Sequence, residues 1–186
     1  MASSKIIGIL KPMDYDENSE RYKSISILIV SDTHKNHEKI NIPDGDIFLH
    51  CGDFTNKDDW RNLTNDQIPQ SVIDFNQWLG RLTHKHKIVI CGNHEIVAST
   101  EPCSICNNTV HGSYGHWDSK SLIKEIRQKI QPRIHCFGHL HDDNGYKYDQ
   151  HANGTLFINA AANLTRQCFK LNFYLDLQKH SNIYQS

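Results

Sequence analysis

The 186-residue chain lacks any hydrophobic run long enough to cross a bilayer and any excess of one charge, having 20 Lys and Arg against 21 Asp and Glu. With a formal net charge of −1 there is no basic surplus to hold a phosphate backbone, so no nucleic-acid duplex is expected as a partner. Near the N-terminus, Ile6, Ile7, Ile9 and Leu10 are stopped by Lys11 and Pro12 before they reach the length of a signal-peptide core or a membrane span. The expectation is a cytoplasmic protein without membrane contact, in which the Asn-x-Ser/Thr sequons at Asn62, Asn107, Asn153 and Asn163 are polar loops. No internal repeat and no low-complexity tract is present, and the length suits one well-buried core rather than two domains.

A disulfide framework is also missing. Of six cysteines, Cys51, Cys91 and Cys136 lie inside apolar strand-like runs, where cysteine behaves as a small buried hydrophobe. Cys103 and Cys106 have the spacing of half a zinc knuckle, but no second pair follows to complete four ligands. Histidine, by contrast, is abundant at 13 residues. Abundance alone is no sign of metal: His84, His86, His151 and His180 lie in polar surroundings and read as solvated surface residues.

Hydrophobic periodicity predicts buried strands over Ser24–Asp32, Asp46–Asp53, Lys87–Gly92 and Ile134–Phe137. Helical spacing of Val72, Phe75, Trp78, Leu79 and Leu82 predicts a helix over Ser71–Leu82, and Leu122, Ile123, Ile126 and Ile130 predict another over Ser119–Ile130. A strand–helix–strand order with a crossover of this length implies parallel pairing. Leu156–Asn159 and Leu171–Leu175 read as consecutive strands forming an antiparallel pair, and the class is α/β. Residues 1–23 read as a polar lead-in with a mobile middle, and residues 24–186 as a single domain.

Four motifs follow the apolar runs: Asp32-Thr33-His34, Gly52-Asp53, Gly92-Asn93-His94-Glu95 and Gly138-His139-Leu140-His141. In an α/β fold, loops at the ends of such strands meet at one edge of a sheet. Singly, an Asp-x-His is an ordinary loop and a Gly-Asp an ordinary turn or helix cap. Together, two carboxylates, an amide oxygen and several imidazoles suit borderline-hard divalent cations such as Mn, Fe, Zn or Ni. Asp53 could bridge two ions through its two oxygens. An extended backbone would aim His139 and His141 to one side.

In this order and wording, with Val30-Ser31-Asp32-Thr33-His34, Cys51-Gly52-Asp53-Phe54-Thr55-Asn56 and Ile158-Asn159-Ala160-Ala161 around them, the motifs resemble the calcineurin-like metallophosphoesterase superfamily from Leu28 to about Asn163. They further resemble its short metallophosphoesterase-domain subfamily, whose members hydrolyse cyclic nucleotides and related phosphodiesters. The resemblance implies a four-layer α/β/β/α sandwich, shortened here in its middle third, and a metal-dependent phosphoesterase acting on a phosphate-ester substrate, with cyclic nucleotides as a candidate class. It implies two divalent metal ions, Mn favoured: Asp32, His34, Asp53 and His141 would hold the first, and Asp53, Asn93 and His139 the second. A hydroxide shared by the two ions would attack phosphorus, His94 would be the catalytic histidine that protonates the leaving group, and Glu95 would orient His94 or its loop.

One departure from the family pattern weakens the second metal site. The family places a further histidine ligand between the Asn-His and Gly-His-x-His motifs, and the stretch from Ile96 to Phe137 is short. Either His111 supplies that imidazole, or Thr100-Glu101-Pro102 takes its place and the ligand is absent, with Gly115-His116-Trp117 and Ser119 matching the approach to the next helix. The rival to an enzyme is therefore a catalytically impaired relative that binds a nucleotide or a protein. A third class, a zinc module on Cys103 and Cys106, predicts metal binding that survives loss of Asp32 and Asp53. Substrate choice is expected to lie in the loops at 54–67 and 111–118.

Overall fold

Along each apolar strand of this chain, successive side chains enter different cores, the consequence of a two-residue repeat in a sheet covered on both faces. The computed structural model describes residues 5–10, 16, 20–60, 67–95, 124–149 and 154–177. Its strands are β1 (Lys5–Leu10), β2 (Tyr22–Val30), β3 (Ile47–His50), β4 (His86–Val89), β5 (Ile134–Phe137), β6 (Gly145–Asp149), β7 (Thr155–Asn159) and β8 (Phe169–Asp176), and one helix, α1, spans Gln70–Arg81. Among the described residues they form a five-stranded sheet, β1-β8-β2-β3-β4, and a three-stranded sheet, β5-β7-β6.

Leu28, Val30 and Phe48 point from the larger sheet to α1, where Phe75 and Trp78 close the first core. Ile29 and Leu49, one residue out of phase, point the other way and meet Leu156, Ile158, Phe169 and Leu171 between the two sheets. Phe157 and Phe137 face outward from the smaller sheet onto Ile126, which belongs to a second helical segment. Helix, sheet, sheet, helix is thus the order of layers. That second segment ends in a π-helical turn, Ile126–Ile130, closed by Gln131 N–H donating to the Ile126 carbonyl at 2.8 Å. The part of the expected helix before Lys124 lies outside the described residues, as do Cys103, Cys106 and His111.

The expected parallel pairings hold, β2 with β3 and β3 with β4, with α1 as the crossover. The expected antiparallel pair in the last third does not form. β7 lies in the smaller sheet between β5 and β6, while β8 crosses to the larger sheet and inserts between β1 and β2. Hydrophobic alternation gives a strand its burial but not its neighbour, and Ala160–Ala162, all fully buried, carry the chain between layers where a hairpin turn would otherwise stand. The partner of β7 is instead β6, whose polar sequence Gly-Tyr-Lys-Tyr-Asp at a sheet edge gives little apolar signal. β1 pairs in parallel with β8, so the larger sheet begins at Lys5.

Two single residues depart from expectation. His84 is buried, packed on Phe48 with ring centroids 5.6 Å apart and with Nε2 3.1 Å from the Pro43 carbonyl. Cys91 is exposed rather than buried, because among the described residues β4 is the last strand of the larger sheet and ends before it, whereas Cys51 and Cys168 are buried as small hydrophobes.

Candidate metal centre

The four motifs occupy the loops following β2, β3, β4 and β5, and the two sheets are stitched together at that edge. Ser31 N–H donates to the Ala160 carbonyl and Ala162 N–H to the Ser31 carbonyl, each at 2.9 Å. The backbone here is strained. Asp32, His34, Asp53 and His139 adopt positive φ values of 54°, 41°, 57° and 75°, a left-handed conformation that side-chain-bearing residues avoid unless their surroundings impose it.

The motif glycines explain how it is imposed. A Cβ on Gly92 would strike the carboxylate of Asp53, and one on Gly138 would strike Ser31 and the carboxylate of Asp32. Gly52, at φ 96°, lies under Gly92, where an added Cβ would come within 2.7 Å of the Gly92 nitrogen. Three glycines therefore let three loops close on two buried carboxylates.

The first group is Asp32, His34 and His141, one donor atom from each lying within 4.8 Å of the others. His141 Nε2 is 3.1 Å from Asp32 Oδ1 and 3.2 Å from His34 Nε2. His34 Nδ1 lies 3.1 Å from the Thr55 carbonyl, which accepts its proton and leaves Nε2 with a lone pair facing inward. His141 is tied from behind by Asn163, whose amide is 2.8 Å from Nδ1. In this orientation Asn163 Oδ1 has no partner among the described residues. Turning the amide over lets that oxygen accept the Nδ1 proton, which frees the second inward-facing Nε2 lone pair.

The second set surrounds Asp53. His94 N–H donates to Asp53 Oδ1 at 2.9 Å, and His139 Nδ1 lies 2.9 Å from Asn93 Oδ1. Every residue expected to ligate, Asp32, His34, Asp53, Asn93, His139 and His141, is thus drawn into one region. His94 comes close as well: a nitrogen of its ring, one of His34 and an oxygen of Asp53 lie within 4.8 Å of one another.

Charge distribution fits cation binding. Burial and the neighbouring charge of Asp32 raise the Asp53 carboxyl, against the opposing bond from the His94 amide. Burial alone would raise Asp32 too, but hydrogen bonds from His141, the His139 amide and Ser31 hold it below the usual carboxylate range. His141 is raised by its bond to Asp32, while burial lowers His94. Two like-charged carboxylates faced by imidazole nitrogens form a donor set that a divalent cation satisfies.

Glu95, expected from the sequence to orient His94 or its loop, and Asn159, to which sequence reasoning gave no role, hold this geometry. Glu95 accepts four bonds, from Asp53 N–H at 2.9 Å and from Gly92 N–H, Thr55 N–H and Thr55 Oγ1 each at 2.8 Å. It orients the loops rather than the ring of His94. Asn159 Nδ2 reaches the carbonyls of Leu140 and Asp143, both at 2.7 Å, and fixes the Gly-His-x-His loop. Its only sequence signal is a polar residue closing a buried apolar strand, since a buried amide must find partners.

Comparison with known proteins decides the family. Residues 25–105 match the calcineurin-like phosphoesterase family. UPF0046 protein C25E10.12 of Caenorhabditis elegans is 46% identical over an alignment covering 82% of this chain and 80% of that protein. The chain belongs to the calcineurin-like metallophosphoesterases. A second nematode relative, UPF0046 protein K07C11.7, is 25% identical over 80% of this chain and 71% of its own length. Metallophosphoesterase domain-containing protein 1 of Homo sapiens is 43% identical over a segment covering 39% of this chain and 19% of that protein. The alignment with C25E10.12 runs to 242 positions, more than this metallophosphoesterase has residues, so the relative carries segments that this chain lacks.

Proposed function

We propose that this metallophosphoesterase hydrolyses phosphodiesters at a centre of two divalent cations, Mn²⁺ by preference, with cyclic nucleotides as a candidate substrate class. The observation that carries the reading is the meeting of His34 Nε2, His141 Nε2 and Asp32 Oδ1 within 4.0 Å of one another, with Asp53 beside them. Asp32, His34, Asp53 and His141 would hold one ion, and Asp53, Asn93 and His139 the other. Two such cations, when bound, would lower the pKa of water and neutralise the charge that builds on phosphate oxygens.

The chain's own groups supply the rest. Asp53 fixes the spacing of the donors, and Thr55 and Asn163 keep the His34 and His141 rings turned inward. In the hydrolysis, a water oxygen bonds to phosphorus as the bond to the leaving oxygen breaks, and that oxygen takes a proton. His94, whose Nδ1 is buried without a hydrogen-bond partner among the described residues, would deliver it.

The test is hydrolysis of bis(p-nitrophenyl) phosphate by purified protein titrated with Mn²⁺, beside Asp53→Asn. The expected result is saturable, metal-dependent turnover that falls by on the order of a thousandfold in the variant, which keeps volume and removes charge. Turnover no higher than that of the variant would instead favour a binding protein with an impaired centre.

A further inference from the structure

His50 ends β3 wholly buried in the aromatic layer beneath α1, yet only one of its two ring nitrogens is paired. Nε2 lies 3.3 Å from Thr33 Oγ1, whereas Nδ1 has no hydrogen-bond partner among the described residues. Phe75 and Phe54 hold the ring edge-on, with centroids 5.1 and 5.9 Å away. Burying a polar atom unpaired is unfavourable, so a phenylalanine would serve the packing of this layer better. The imidazole is explained instead by what it reaches.

Thr33, also wholly buried, stands between Asp32 and His34, which both adopt left-handed backbone conformations and both belong to the first donor group. Around it the turn is held by backbone bonds: Asp32 N–H donates to the Gly52 carbonyl at 2.9 Å, His34 N–H to the Asp53 carbonyl at 3.1 Å and Lys35 N–H to the Phe54 carbonyl at 3.0 Å. Thr33 is anchored to β3 through its hydroxyl, which can donate or accept and so bonds His50 in either ring tautomer. We infer that His50 is a positioning residue: through Thr33 it holds Asp32 and His34 in the left-handed turn that presents both side chains to one cation. Burial pushes the His50 ring down to about 3, so near pH 7 it is neutral and acts through geometry rather than charge. This inference rests on the reading of the centre as a cation site.

The experiment compares the double variant His50→Phe/Thr33→Val with Thr33→Val, Thr33→Ser and the unaltered protein. Replacing both partners by apolar groups of similar shape leaves no buried polar atom of the pair unpaired, so the double variant should keep its urea midpoint at pH 7. In metal-free protein, amide exchange followed by NMR is expected to be about tenfold faster at His34 and Lys35 in the double variant, with the β2 amides unmoved. Calorimetric titration with Mn²⁺ should show about tenfold weaker binding there. Thr33→Val alone should show the same two losses, because two changes that break one bond do not add. Thr33→Ser, which keeps the hydroxyl, should retain both properties. Unchanged exchange and Mn²⁺ affinity in the double variant, or equal losses in Thr33→Ser, would overturn the inference. An unaltered protein that takes up no Mn²⁺ would count against the cation reading alone, because amide exchange in the metal-free protein still decides the role of His50.

Discussion

His94 is the residue on which geometry and expectation pull apart. Placed within 4.8 Å of donor atoms of His34 and Asp53, its ring could serve as a further ligand or as the acid that completes hydrolysis. Burial shifts its titration downward, which the charge of Asp53 opposes and His34 and Lys57 reinforce. As the acid, His94→Ala should retain the full complement of bound metal by elemental analysis while turnover falls about 10²–10⁴-fold. Loss of metal in that variant would make it a ligand. The Asp, Asn and His of the candidate centre are legible in the sequence only as a set of motifs at strand ends, since singly each reads as an ordinary loop or turn. Asn163 was not, because a sequon residue reads as a polar loop until its amide is seen against His141.

At the level of elements, Glu95 and the aromatic layer under α1 carry most of the consequence. Glu95 ties the loop after β4 to the loop after β3 and so holds Asp53 in its left-handed conformation. Glu95→Ala leaves the Asp53 and Thr55 amides unpaired and should cost about 1–3 kcal/mol in chemical unfolding, with weaker Mn²⁺ binding by calorimetry. Glu95→Gln keeps one acceptor oxygen and should recover part of both. Beneath α1, His37, His50 and His84 are buried among Phe48, Phe54, Phe75 and Trp78. Burial lowers all three, His50 to about 3, while the same side chains in the unfolded chain titrate near 6.5. Unfolding therefore takes up protons below that pH, so stability is fully present above about 6.5 and declines as pH falls toward 3. At pH 5 the His50 contribution alone is about 2 kcal/mol, and urea titrations of His50→Phe should show a correspondingly flatter acid limb. The strands, α1 and their parallel order are legible because alternation and helical spacing record burial directly. The partner of β7 and the buried state of His84 are not, because both depend on which layer a distant segment joins.

Across the whole molecule, the centre exists because two sheets meet at one edge. β2, β3 and β4 deliver Asp32, Asp53 and Asn93 from one side, and β5 and β7 deliver His139, His141 and Asn163 from the other, with the Ser31–Ala161 bridge fixing their approach. Neither of the proposed ligand sets could form within a single sheet. Among the described residues no helix is long and apolar enough to cross a membrane. The central claim, that Asp53 bridges two cations held by both sheets, is tested most directly by anomalous scattering from crystals grown with Mn²⁺. The account predicts two peaks about 3.5–4 Å apart, one among Asp32, His34, Asp53 and His141 and the other among Asp53, Asn93 and His139. A single peak, or peaks away from Asp53, would contradict it.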